Sequence, residues 1–155
     1  MTAGRVLGLR LLAAAASTAL ALAATGCGPS AEVRFRDRQL GPVQRRIEQD
    51  KAQISGQLQV ARLGHGRDAR AVGQLVGVLG RSVEQLAALK APGSVAPAFR
   101  RYVAANRRLV VSLQRFAVRL GGHSRTTLDR QAAAAQAAAG EIARARDTLY
   151  ALLAK

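Results

Sequence analysis

Apolar side chains recur at three- and four-residue spacing from residue 42 onward, and this spacing is typical of one buried face of an α-helix. Glycine and proline divide the pattern into four segments, at Gly64 to Gly66, Ala91 to Gly93 and Gly121 to Gly122. The four stripes are Val43, Ile47, Ile54, Leu58 and Ala61; Val72, Leu75, Val76, Leu79, Val83, Leu86 and Leu89; Phe99, Tyr102, Val103, Leu109, Val110, Leu113, Phe116 and Leu120; and Leu128, Ala132, Ala135, Ala139, Ile142, Leu149 and Leu152.

The helix boundaries follow from local signals. Pro42 suits the first turn of helix A, and Ser94 is a good N-cap for helix C, with Pro97 in its first turn. Thr126 followed by Asp129 predicts a capping box at the start of helix D. Because short connections favour antiparallel neighbours, residues 42–155 are predicted to form an all-α, up-down-up-down four-helix bundle.

A different pattern precedes the bundle. Arg5 and Arg10 give a basic start, and an apolar run of about 14 residues follows to Ala24, which is the order of a secretory signal. The run is shorter than the roughly 20 residues of a membrane-spanning helix. We therefore predict a signal peptide over residues 1–26 and, because glycine and proline flank it, a flexible tether over residues 27–41.

Thr25, Gly26 and Cys27 together resemble the cleavage site of a bacterial lipoprotein signal. The resemblance implies that Cys27 receives a diacylglyceryl group, becomes the first residue of the mature chain and anchors it to the outer face of the bacterial cell membrane. The alternatives are a transmembrane anchor, or a cleaved signal with an incidental cysteine. Cys27 is the only cysteine, so an intramolecular disulfide is excluded, and lipidation would cap an otherwise exposed thiol.

A second resemblance lies in the bundle. Leu86-Ala-Ala-Leu-Lys-Ala-Pro92, then Phe99-Arg-Arg-Tyr-Val103 and Leu109-Val-Val-Ser-Leu113, are similar to a pattern in small secreted helical proteins and lipoproteins of actinobacteria. That largely uncharacterised group implies a helical fold and an envelope location, and it offers no active site.

Two groups of small or polar residues interrupt the apolar stripes. Gly73, Gly77 and Gly80 share a narrow face of helix B, for which we expect close packing on the alanines of helix D, with a groove for an acyl chain or partner helix as the alternative. Asp50 and Asn106 fall at the same level of helices A and C. They predict a buried polar pair, or alternatively the polar floor of a ligand cavity.

Charge is the remaining signal. The chain has 24 basic and nine acidic residues, although part of the arginine excess is consistent with a GC-rich genome. No acidic residue lies between Glu84 and Asp129, and the polar side of helix C carries a row of arginines that we name the basic ridge: Arg100, Arg101, Arg107, Arg108, Arg115 and Arg119. The alternatives are an ordinary solvated face or a surface that binds an anionic partner.

The sequence gives little indication of catalysis or metal binding. His65, His123, Asp68 and Asp129 are expected at one pole, but without the short spacings that fix metal ligands, and the sequence lacks the motifs of di-iron, haem, copper and serine-hydrolase sites. We therefore expect no catalytic residues, no metal and no cofactor.

The sequence predicts a lipid-anchored binding or scaffold module of the bacterial envelope. The expected partners are the membrane through its anchor, and an anionic lipid, a cell-wall polymer or an acidic protein at the basic ridge. Nucleic acid is not expected, because an exported protein rarely meets it and the ridge lacks aromatic residues for base stacking. The alternative is a carrier of a small apolar or lipid ligand within the bundle.

Overall fold

The computed structural model describes residues 29–154, and within them every regular element is helical. The elements are α1 (Ala31–Arg34), a π-helical turn (Phe35–Leu40), α2 (Gly41–Val60), α3 (Gly66–Ala87), α4 (Ala96–Leu120) and α5 (Arg125–Leu153). The first three run on as a single helix, because the residues at their junctions keep helical backbone angles. The prediction of an all-α four-helix bundle is confirmed. The predicted signal peptide and Cys27 lie outside the described residues.

Contacts at the two poles of the bundle show the relative directions of the helices. At one pole the Gly64 N–H donates to the Leu120 carbonyl over 2.9 Å, which joins the α2–α3 turn to the end of α4. At the other pole the rings of Phe35 and Phe99 meet edge to face, with centroids 5.3 Å apart. Consecutive helices are therefore antiparallel, as the short connections predicted.

Helix α4 is the central element of the bundle, because α3 and α5 both pack against it. Its apolar stripe from Phe99 to Leu120 is buried, and Ile47, Leu79 and Leu149 are buried on the neighbouring helices. Burial of one such side chain stabilises the fold by roughly 1.5 to 3 kcal/mol. With few aromatic residues, the core is built mainly from leucine, valine, isoleucine and alanine.

The predicted tether was wrong for residues 31–41, which are helical. The π-helical turn explains how this segment joins the core: its i→i+5 hydrogen bonding brings residues five apart to the same side. Phe35 and Leu40 are spaced in this way, and both are buried, with 2% and 0% of their surface exposed. The bundle therefore begins at Ala31, well before Pro42.

The same turn explains why Gly41 and Pro42 do not end the helix. A proline inside an α-helix has no N–H to donate and its ring meets the carbonyl four residues earlier. Here the Gly41 N–H donates to the carbonyl of Arg36, five residues back. A β-carbon on residue 41 would stand 3.2 Å from that oxygen, so glycine suits the widened turn.

Two predicted helix caps were also wrong. The hydroxyl of Ser94 does not cap α4, whose N-cap is Val95, but donates instead to Glu32 over 2.6 Å. Helix α5 begins one residue before Thr126, and its cap is Ser124, whose hydroxyl accepts from the backbone N–H of Thr127. Both serine hydroxyls therefore stabilise the structure. Ser124 caps α5, whereas Ser94 links the α3–α4 turn to α1.

The predicted packing of the glycine face on helix D was wrong. Within residues 29–154, a β-carbon at Gly73 or Gly77 would have no neighbour within 4 Å, and one at Gly80 would contact Val110 of α4. The reason is the arrangement of the bundle, in which α3 and α5 pack on α4 and not closely on each other. Gly73 and Gly77 therefore face open space.

Candidate functional site

The basic ridge occupies the outward face of α4, and all six of its arginines are exposed. The apolar stripe of the helix faces the core, so the arginines on the opposite side are forced toward solvent. Arg100 and Arg119 mark the ends of the ridge, and 19 residues at 1.5 Å per residue place them about 28 Å apart along the helix axis.

Two arginines in the middle of the ridge are already paired with neighbouring helices. Arg107 donates through Nε and Nη2 to the two carboxylate oxygens of Glu84 on α3, over 3.0 and 2.7 Å. Arg108 donates through Nη1 to Glu141 on α5, over 2.6 Å. The hydrogen bond from Arg107 lowers the pKa of Glu84, so this carboxylate stays ionised. The sequence missed these pairs because both partners lie far away along the chain.

The other four ridge arginines have no carboxylate within 4.0 Å among the described residues. They are Arg100, Arg101, Arg115 and Arg119. The ridge is therefore two cationic ends, separated by a middle section in which arginine charges are neutralised. This divides what the sequence predicted as one continuous basic surface.

Exposed valines lie between these arginines. Val111 keeps 43% of its surface in solvent and Val118 keeps 75%, and with Val60 they are the large apolar side chains most exposed in residues 29–154. Val111 and Val118 are seven residues apart, so they fall on nearly the same line of α4. Sequence reasoning overlooked them because they are single apolar residues within a polar face.

The surplus of positive charge extends beyond α4. In residues 29–154, each of the nine acidic side chains has a partner within the protein. Six pair with arginine or lysine, and the other three accept hydrogen bonds from Ser82, Ser94 and the backbone N–H of Arg62. Of the 21 basic residues in this range, 15 are thus left without an acidic partner. An external anion meets little competition from the protein's own carboxylates.

Asp50 and Asn106 are buried as predicted, with 6% and 1% of their surfaces exposed, but each bonds elsewhere. Asp50 accepts from the hydroxyl of Ser82 over 2.6 Å, which links α2 to α3. Asn106 donates through Nδ2 to the carbonyl of Tyr102 over 2.9 Å, within α4. The sequence identified the two buried polar positions and missed Ser82, which looks like an ordinary helix residue.

Tyr102 adds a second polar group beside Asn106. Its side chain is fully buried, and neither its hydroxyl nor Oδ1 of Asn106 has a hydrogen-bond partner among the described residues. Burial, helped by the negative charge of Glu48, raises the pKa of Tyr102 to about 12. Tyr102 is therefore neutral at physiological pH.

The turns that carry His65 and His123 lie at one pole of the bundle, as predicted, but their surroundings do not resemble a metal centre. A β-carbon on Gly64 would come within 2.9 Å of Nδ1 of His123, so the two turns touch. Asp68 accepts from the backbone N–H of Arg62 over 2.8 Å, and Asp129 pairs with Arg125. No group of three or more potential metal-ligating side chains occurs in residues 29–154.

A cleft of about 590 Å³ opens between the end of α3 and the first half of α4. Most of its lining is apolar, and among the described residues only Arg100 and Arg107 supply charges: the lining residues are Ala87, Leu89, Ala91, Ala96, Phe99, Arg100, Val103, Ala104 and Arg107. A shallower depression of about 570 Å³ lies between α2 and α5 near Glu48 and Tyr150, and it is more open to solvent.

Comparisons with family models, curated proteins and solved structures found no match to this chain. None of the helices within residues 29–154 combines the length and apolar character needed to cross a bilayer.

Proposed function

We propose that the protein is a lipid-anchored binding or scaffold module on the extracytoplasmic face of a bacterial membrane, and that its basic ridge contacts an anionic surface. The single observation that carries the proposal is the set of four exposed ridge arginines that have no acidic partner within residues 29–154: Arg100, Arg101, Arg115 and Arg119. The anchor is argued from Cys27 and the lipoprotein-like sequence before it. A binding role is the function that this surface supports.

Among anionic partners, the exposed valines favour a phospholipid surface over a cell-wall polymer or an acidic protein. Arginine side chains attract anionic head groups, and apolar side chains between them gain by entering the boundary between head groups and acyl chains. Val111 and Val118 lie between the arginines of the ridge and are exposed. A polymer of fixed charges would use the arginines and leave the valines without a role.

The length of the ridge sets the geometry of this contact. Arg100 and Arg119 are about 28 Å apart along α4, so a flat surface meets both only when the helix lies parallel to it. Ala31, the first residue of α1, is four residue steps after Cys27, and an extended chain of four steps reaches about 14 Å. An acylated Cys27 would therefore keep the bundle close to the bilayer.

The ridge is tested with residues 27–155 carrying Cys27→Ala, so that neither the predicted signal peptide nor a lipid anchor contributes. Flotation with vesicles containing anionic phosphatidylglycerol should recover the protein at low salt, and added salt should release it. Each surface-bound arginine contributes about 1 kcal/mol, or about fivefold, so replacing Arg115 and Arg119 with glutamine should weaken binding about 30-fold. Failure to float with anionic vesicles at low salt would overturn the membrane contact.

A matched variant separates the ridge from total charge. Arg67 and Arg70 are exposed on α3 and have no acidic partner in the described part of the chain. Replacing them with glutamine gives the same change in net charge as the Arg115 and Arg119 variant. Equal loss of binding by both variants would show that net charge, and not the ridge, attracts the vesicles.

The anchor is tested separately. Wild-type protein produced in a bacterium that makes lipoproteins should incorporate a labelled fatty acid and remain with the membrane after a salt wash. The Cys27→Ala variant should lose the label. Labelling that survives the substitution would contradict the lipoprotein assignment.

A further inference from the structure

The cleft between α3 and α4 has the composition expected for an acyl chain with a negatively charged end. Ligand sites are usually apolar cavities of about 300 to 1,000 Å³ with a few placed polar groups. This cleft measures about 590 Å³, and alanine, leucine, valine and phenylalanine form most of its lining. No acidic residue of the described part of the chain contributes to the lining, so an anion entering the cleft meets no like charge there.

The two arginines of the cleft differ in what they offer a ligand. Arg107 is held by Glu84 through two hydrogen bonds, so its charge is largely compensated. Arg100 is exposed and has no carboxylate within 4.0 Å in residues 29–154. Its guanidinium is therefore the group able to take up a carboxylate or phosphate, whose two oxygens match its planar donors.

The apolar wall is fixed from behind, which favours a persistent cleft. Phe99 is buried in the wall, and its ring is braced edge to face by Phe35 of the π-helical turn. The turn that forms the rim is tied to α1 by the hydrogen bond from Ser94 to Glu32. Leu89 and Ala91, near that rim, remain only partly buried, so apolar surface is left for a ligand to cover.

We propose that this cleft binds an anionic amphiphile, with its acyl chain along the apolar wall and its negatively charged end at Arg100. The occupant is a molecule with one acyl chain inserted and one anionic group outside it. A free fatty acid has this chemistry, and so has a phospholipid of the bilayer. The site differs from the one suggested by the glycine face of α3, and it does not require Cys27 to be acylated.

Binding is tested by calorimetric titration of the Cys27→Ala protein with dodecanoate. Methyl dodecanoate keeps the chain without the charge, and butyrate keeps the charge with a short chain. Dodecanoate should bind at least about tenfold more tightly than either. Equal affinity for dodecanoate and its methyl ester, or no dodecanoate binding at all, would overturn the proposal.

Neighbouring arginines provide a matched pair of variants. Arg100 lines the cleft and Arg101 does not, although both are exposed and both belong to the ridge. Arg100→Glu should weaken dodecanoate binding about tenfold or more, while Arg101→Glu should retain it. Equal loss in the two variants would show that dodecanoate responds to general charge and would contradict a site at Arg100.

A variant that fills the cleft tests the apolar part. Ala104 lines the cleft on the surface of α4 and is only partly buried, so Ala104→Trp should block the wall without entering the core. Circular dichroism checks that the helices remain. A folded Ala104→Trp protein that binds dodecanoate as wild type does would contradict the location.

Competition between vesicles and dodecanoate shows whether the acyl chain in the cleft comes from a bilayer phospholipid or from a free fatty acid. Any vesicle takes up some dodecanoate, so phosphatidylcholine vesicles serve as the reference. If bilayer phospholipid is the occupant, phosphatidylglycerol vesicles should remove more dodecanoate from wild type than phosphatidylcholine vesicles do. If free fatty acid is the occupant, the two kinds of vesicle should remove equal amounts. Either result supports the cleft, and because the Arg115 and Arg119 variant should bind dodecanoate normally, failure of the ridge and failure of the cleft are distinguishable.

Discussion

Tyr102 gives the bundle a measurable sensitivity to alkaline pH. Its side chain is fully buried in α4, and burial together with the charge of Glu48 raises its pKa to about 12. In the unfolded chain the phenol titrates near its ordinary value of about 10. The unfolded state therefore loses its proton at lower pH than the folded state does.

The sign and size of the effect follow from this difference. A raised pKa in the folded state means that the contribution of Tyr102 is fully present below pH 10 and is lost as pH rises from about 10 to about 12. A shift of about two pKa units at about 1.4 kcal/mol each corresponds to about 3 kcal/mol. The Tyr102→Phe variant cannot ionise at this position, so it should lack this loss.

The measurement is urea unfolding followed by circular dichroism at a series of pH values, since the chain has no tryptophan to report by fluorescence. At pH 7 the free energies of unfolding of wild type and Tyr102→Phe should agree within about 1 kcal/mol, because the hydroxyl has no hydrogen-bond partner among the described residues. Above pH 10 the variant should become the more stable protein, by a margin that approaches about 3 kcal/mol near pH 12.

Spectroscopy gives an independent check. The chain has two tyrosines, so a Tyr150→Phe variant leaves Tyr102 as the only phenol, and the ultraviolet absorbance of tyrosinate then reports its titration directly. A midpoint near 10 in the folded Tyr150→Phe protein would refute the reasoning. So would parallel loss of stability in wild type and Tyr102→Phe above pH 10.

Other substitutions test the hydrogen bonds and glycines described above. Ser82→Ala should lower the free energy of unfolding by about 1 to 3 kcal/mol, because it removes the hydrogen bond to the buried carboxylate of Asp50. Gly77→Ala should raise it by about 0.5 to 1 kcal/mol, since a β-carbon there would meet no atom of the described residues within 4 Å. Gly64→Ala should lower it by about 1 to 2 kcal/mol, because residue 64 has a φ of 82°. Ser124→Ala should cost about 1 kcal/mol through loss of the α5 cap. Urea unfolding at neutral pH measures all four.

Each of these four predictions can be contradicted by a specific result, and the Ser82→Ala prediction has a control variant. Ser55→Ala changes a partly exposed serine with no side-chain hydrogen bond among the described contacts, so it should be nearly neutral. A loss in Ser55→Ala equal to that in Ser82→Ala would remove the role assigned to Asp50. Destabilisation by Gly77→Ala would restore the idea of a packed glycine face. A stable Gly64→Ala protein would contradict the strained turn, and a neutral Ser124→Ala would contradict the cap.

The regular part of the fold was predictable because helical burial is periodic. The stripe of α4 from Phe99 to Leu120 and the breaks at Gly64 and Gly121 were enough to give four antiparallel helices. The start of the bundle was not predictable in this way, because glycine followed by proline usually ends a helix. The π-helical turn removes that conflict, and its hydrogen bonding is invisible in the α-helical spacing of the sequence.

The candidate site likewise has one part that the sequence predicts and one part that it does not. The arginines of the ridge are on the polar side of an amphipathic pattern, so their exposure could be predicted. Pairing of Arg107 with Glu84 and of Arg108 with Glu141 depends on which helices flank α4, and the sequence did not determine that. The error over the glycine face had the same origin, because α5 was expected beside α3.

The widened turn between Phe35 and Leu40 also behaves as one inserted residue within a continuous helix. Each residue of an α-helix advances it by about 100°, so deleting one residue from this turn could restore ordinary α-helical winding without shifting Gly41–Val60. The residues before the deletion would keep their angular position around the helix axis. A deletion within α2 would instead rotate the preceding residues by about 100° around that axis. The turn is thus the place where chain length can vary while Phe35 stays aligned with the core.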